Sequence, residues 1–216
     1  MKANSLFFQA VIVPLSILLP IFIAAVRYKN LNRQSKVLFG YLILTGITNG
    51  IFIIVGRYFH VNNLPFLHIY TAIEMIILNY YYRIMLGRGD SGKMFIVIPV
   101  VFVMLCIANA LYLQDIHTYN SYTRSVEAIV CILFSLNYFA KLASDPETGN
   151  VIRLSDFYAN TGIFLYYSGA FILFVFSNFI ITKLSLNNFL IIWNIHAALI
   201  LLMYQGIAVS FLLCKK

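Results

Sequence analysis

Three pairs of polar residues recur at one depth in an otherwise apolar chain. Asn49 pairs with Glu74, Asn109 with Glu127, and Asn178 with His196. In each pair the Asn lies near the end of one apolar run, and the ionisable residue stands about two turns into the next. An ionisable side chain at such depth costs roughly 2.5–3.5 kcal/mol on insertion scales, so each marks a candidate functional site. Tyr70, one turn before Glu74, and Arg124, one turn before Glu127, share the helix faces of the two carboxylates and join the set.

These residue types allow three arrangements. Two carboxylates at close range share charge poorly, so they suit a cation or a proton, and an adjacent imidazole adds sensitivity to pH. Glu74, Glu127 and His196 could instead ligate a divalent metal such as zinc, iron or manganese. The third arrangement is an interhelical lock, with Arg124 paired to Glu74 or Glu127 and the Asn side chains bonded across helices. Hydrogen bonds between membrane helices average only about 0.6 kcal/mol, so stability alone is a weak reason to keep six such residues.

The elements that must position them are long apolar helices. The chain of 216 residues is 62% hydrophobic and 10% charged, with mean hydropathy +0.87. Too few charges remain to coat a water-soluble surface, so the bilayer is the main solvent. Seven runs approach the roughly twenty residues that span a bilayer core as a helix: Ser5–Val26, Val37–Gly56, Phe66–Leu86, Met94–Leu113, Tyr122–Leu142, Phe157–Ile181 and Phe189–Cys214. Backbone groups in lipid must bond within their own segment, and no run alternates as a barrel strand does, so the expected fold is all-α. It is a single seven-helix transmembrane domain over residues 1–216. The first run is longer than a signal peptide's core and is followed by Arg27 and Lys29, so it reads as a retained helix.

The net charge of +8 follows topology rather than nucleic-acid binding. Eleven cations lie on one side: Arg27, Lys29, Arg33, Lys36, Arg83, Arg88, Lys93, Lys141, Arg153, Lys215 and Lys216. Only four, Lys2, Arg57, Arg124 and Lys183, lie on the other. The positive-inside rule then puts the N-terminus outside, the C-terminus in the cytoplasm and the polar pairs in the outer third of the bilayer. A bacterial inner membrane is the expected location. Cys106, Cys131 and Cys214 fall within or at the ends of apolar runs and form no disulfide framework.

The hairpins resemble one another. Ile47-Thr48-Asn49-Gly50-Ile51-Phe52 parallels Ile107-Ala108-Asn109-Ala110-Leu111-Tyr112, and Leu78-Asn79-Tyr80 parallels Leu136-Asn137-Tyr138. The Asn-to-ionisable spacing is 18 residues in the second and third pairs and seven longer in the first. One leading helix followed by three parallel hairpin repeats accounts for this pattern. Toward the cytoplasmic side, Asn79 with Arg83 and Asn137 with Lys141 are spaced to pair along a helix. Among tyrosines they form either an aromatic belt or a layer that docks a separate cytoplasmic or membrane signalling protein.

No phosphate-binding loop, HExxH or ExxH pattern occurs, and the last run has no Lys to bind retinal. The segment Asn63-Leu64-Pro65-Phe66-Leu67-His68-Ile69-Tyr70-Thr71-Ala72-Ile73-Glu74 resembles one in uncharacterised small seven-helix bacterial membrane proteins, where an HIYTxxE pattern opens the third helix. The resemblance implies a membrane sensor or adaptor and adds weight to Tyr70 and Glu74. The expected function is a sensor or receptor that takes a small polar or cationic ligand, or protons, in an outward-facing pocket. A small secondary transporter is the alternative, and a metal-dependent intramembrane enzyme the third reading. A transporter needs a continuous polar path through Asn79, Asn137, Asn160 and Gln205.

Overall fold

The computed structural model describes residues 5, 7–87, 91–144 and 150–215. Lys2, Arg88, Lys216 and the turn cluster at residues 145–149 lie outside them. All regular structure among the described residues is helical.

Six helices are long and apolar enough to cross a membrane: α1 (Phe8–Val26), α2 (Arg33–Gly56), α4 (Gly92–Leu113), α5 (Ser121–Ser144), α6 (Ser155–Val175) and α8 (Leu186–Leu213). This is the pattern of a multi-pass membrane protein. The seventh expected span, α3 (Leu64–Leu86), has 23 residues and so has the length, but it falls short in apolarity. Glu74, Asn79, Arg83 and a run of tyrosines lower it. Enclosure compensates, because Tyr70, Thr71, Glu74, Leu78, Asn79, Tyr81 and Tyr82 are all buried. The expected sixth run divides: α6 ends at Val175, Phe176 breaks the helix, and a short helix α7 (Ser177–Lys183) follows.

Helices adjacent in sequence pack side by side, and α8 closes the ring by packing on α1. Both ends of that closure are stitched. At one end Gln9 Nε2 donates to the Leu190 carbonyl at 3.0 Å and to Asn194 Oδ1 at 2.7 Å. At the other, Arg27 donates to the carbonyls of Phe211 and Cys214, at 3.2 and 3.1 Å, satisfying C-terminal acceptors that the helix leaves free. A close backbone approach joins α6 to α8. A Cβ added at Gly206 would stand 2.8 Å from the Tyr158 carbonyl and 3.2 Å from the Gly162 Cα, so only glycine fits.

Prolines set local irregularity. Pro99 lies inside α4 and has no N–H for the Phe95 carbonyl. Asn79 of α3 supplies the missing donor, with Nδ2 2.8 Å from that oxygen. Asn137, its match in the second hairpin, is exposed and bonds back to Leu133 of its own helix. Lys141 caps the Met85 carbonyl at 2.6 Å rather than pairing with Asn137. The sequence-matched positions therefore occupy different environments, because Pro99 creates a vacancy beside Asn79 alone.

Candidate functional site

The site is built from helix faces at one end of the bundle. On α2, Tyr41, Thr45 and Asn49 follow at intervals of four and so share a face. On α3 the same spacing aligns Tyr70 with Glu74. Arg124 and Glu127 stand three apart on α5, Tyr166 projects from α6, and Trp193 and His196 lie three apart on α8. With the ring closed, Asn49, Tyr70, Glu74, Arg124 and His196 line one cavity of about 400 Å³. Tyr41, Thr45, Tyr119, Tyr166, Trp193 and Tyr204 give it a largely aromatic wall.

At its wall two carboxylates meet one guanidinium. Arg124 Nη1 donates to Glu74 across the helix boundary and to Glu127 Oε2 at 2.8 Å on its own helix. Arg124 Nη2 reaches the Tyr166 hydroxyl at 3.3 Å, and the guanidinium lies 4.8 Å from the centre of the Phe174 ring. Glu74 Oε1 accepts from Tyr41 at 2.8 Å and from Tyr70 at 3.1 Å. Thr45 bonds the Tyr70 hydroxyl at 2.9 Å and so continues the chain along α2. Glu127 Oε1 is buried and has no protein partner. Glu74 faces the cavity, whereas Glu127 stands behind it.

His196 is one step removed. Its Nε2 lies 3.3 Å from the Tyr166 hydroxyl, and its ring packs against Trp193, Phe174 and Tyr166. Among the described residues no three His, Cys, Asp or Glu side chains gather as a metal site. Arg124 occupies the space between the carboxylates that a metal would need, and Tyr166 separates them from the imidazole. The ligand set Glu74, Glu127 and His196 expected from shared depth therefore does not assemble.

Asn109 and Asn178 do not reach the cavity. Asn109 donates to Gln114 at 3.2 Å, Gln114 to Ser121 at 2.7 Å, and Asn178 to Ser121 and the Tyr119 carbonyl at 3.2 and 2.9 Å. Together they fasten the loop before α5, which carries Tyr119 over the cavity. Position along the runs does not specify rotation about each helix axis, and rotation turns these side chains away from the cavity.

Tyr41, Thr45, Tyr166 and Trp193 were absent from the residues singled out in sequence. Their signals were present: Tyr41 and Thr45 complete the four-residue period ending at Asn49. A mid-span tyrosine such as Tyr166 is also out of place, since tyrosines favour the membrane interface. On the other side of the cavity the core closes. Met75, Leu78, Tyr82, Phe134, Tyr167 and Phe211 are nearly or fully inaccessible. Asn160 is consumed by Tyr82 and Ser135, while Asn137 and Gln205 face outward. Among the described residues the inner polar side chains form no path.

No protein-family model matches the chain, and neither the curated proteins nor the solved structures contain a match to it.

Proposed function

We propose that this chain is a seven-helix, N-out and C-in membrane sensor, binding a small cation or polar ligand, or a proton, in the Glu74 cavity. The observation that carries the reading is the charge count at the wall: two buried carboxylates, Glu74 and Glu127, against one guanidinium, Arg124. A buried unpaired charge is costly, and a proton or a bound cation completes the set. Aromatic walls favour an organic ammonium, which aromatic faces attract. The closed core beyond the cavity supports a receptor over a transporter, since ligand has no polar route onward. Burial of Arg124 also removes one of the four cations on the cavity side and strengthens the bias that supports N-out topology in a bacterial inner membrane. The lock expected between Arg124 and the carboxylates is part of this site, and the proposal gives the surplus carboxylate its role.

Trp193 is the single tryptophan of the chain and lines the cavity, so its fluorescence reports occupancy directly. Purified protein titrated with tetramethylammonium, and separately with acid, should show a saturable change in emission. Glu74→Gln should abolish the response to the ammonium ion while the protein stays folded. A folded Glu74→Gln protein that titrates as the parent does would refute the reading.

A further inference from the structure

A second concavity, about 420 Å³ in volume, runs along the flank of the bundle between α1 and α2. Its walls are the outward-facing side chains of Leu15, Leu18, Ile43, Ile47 and Ile53. Its floor is glycine. A Cβ at Gly46 would lie 3.7 Å from Ile21 Cδ1, whereas one at Gly50, a turn further on, would meet nothing within 4 Å. The two helices therefore touch at Gly46 and part at Gly50, opening a wedge toward the cavity end. Asn49 is the one polar side chain among the residues that line this groove, and Asn49 and Pro14 also line the cavity. Groove and cavity thus meet at a shared wall, Asn49 and Pro14, with apolar side chains on the lipid side of it and an aromatic, carboxylate-bearing lining on the other.

We propose that the ligand is a single-chain amphiphile with an ammonium head. It enters sideways from the membrane between α1 and α2, with its head beside Glu74 and its tail leaving through the groove. This rests on the cation-binding reading of the cavity. A phosphate-bearing head fits poorly, because Arg124, the one Lys or Arg among the described lining residues, is already shared by two carboxylates. Asn49 stands at the junction, where it can contact the head as it passes. On α1 the portal residue Pro14 closely follows a π-turn over Phe8–Ile12, a departure from regular α-helix of the kind often found at functional sites.

The test compares tetramethylammonium with dodecyltrimethylammonium on full-length protein in lipid nanodiscs, read by Trp193 fluorescence, with Glu74→Gln as the baseline for partitioning into lipid. Gly50→Leu fills the wedge where space is open and leaves the cavity lining intact. The variant should weaken the dodecyl compound about tenfold or more and leave tetramethylammonium within about twofold. Ile47→Phe, projecting into the same groove and adding no second tryptophan to the readout, should do the same and serves if Gly50→Leu does not fold. Equal weakening of both ions, or no change in either, would overturn the lateral portal while leaving the cavity reading in place. Failure of the parent protein to bind either ion would overturn both.

Discussion

Arg124 on α5 hydrogen-bonds Glu74 on α3, fifty residues earlier in the chain, and its Nη1 also reaches Glu127. One guanidinium thus ties two helices together and serves two buried carboxyl groups, one more than its single charge can balance. Removing it should be severe. Arg124→Met should cost about 3–5 kcal/mol, because two buried carboxylates then face each other without a cation. Adding Glu74→Gln and Glu127→Gln should restore most of that loss, and Glu127→Gln alone should be nearly neutral. Unfolding in mixed detergent micelles would measure each. A Glu127→Gln loss as large as that of Arg124→Met would contradict the charge count.

Tyr41 and Tyr70 share Glu74 Oε1 as acceptor. Tyr41→Phe or Tyr70→Phe alone should cost about 1–2 kcal/mol, since one donor remains. The double variant should cost more than the sum of the singles, because Oε1 then has no partner. A double-mutant cycle on the unfolding free energy reads the difference.

Asn79 and Asn137 match in sequence but not in environment. Asn79→Leu deprives the Phe95 carbonyl of the donor that Pro99 cannot replace, and should cost about 1–3 kcal/mol. Asn137→Leu removes an exposed bond within one helix turn and should stay within about 0.5 kcal/mol. Equal melting temperatures for the two variants would contradict the asymmetry.

Gly206→Ala drives a methyl group toward the Tyr158 carbonyl and the Gly162 backbone. It should cost about 1–3 kcal/mol by forcing α6 and α8 apart. Gly40→Ala, with nothing within 4 Å, should be neutral or gain up to about 1 kcal/mol from helix propensity. Thermal unfolding of the two variants side by side separates packing from propensity.

Topology can be read with single cysteines in a protein lacking Cys106, Cys131 and Cys214. Thr118 and Asn150 are exposed near opposite ends of the bundle. Thr118→Cys should react with a membrane-impermeant maleimide on intact cells, and Asn150→Cys only after permeabilisation. The reverse pattern would invert the assignment and place the cavity on the cytoplasmic side.

Composition and run length were enough to make this chain an all-α protein of membrane-crossing helices. Apolar runs near twenty residues with few charges leave no other solution for the backbone in lipid. The common level of Glu74, Glu127 and His196 in the bundle was also legible, because level is a count along the chain. Partnership was not. Whether Asn109 faces a cavity or a loop depends on helix rotation, and in uniformly apolar helices almost every face reads alike. The same ambiguity hid Tyr41 and Tyr166, which become site residues only once the ring closes. It also suggested that Glu74, Glu127 and His196 could share a ligand, when Arg124 and Tyr166 lie between them. Sequence determined the solvent, the helices and the level of the polar residues. Tertiary packing alone decided which of them meet, because a hydrogen bond across helices requires both rotations and the crossing distance to be right together.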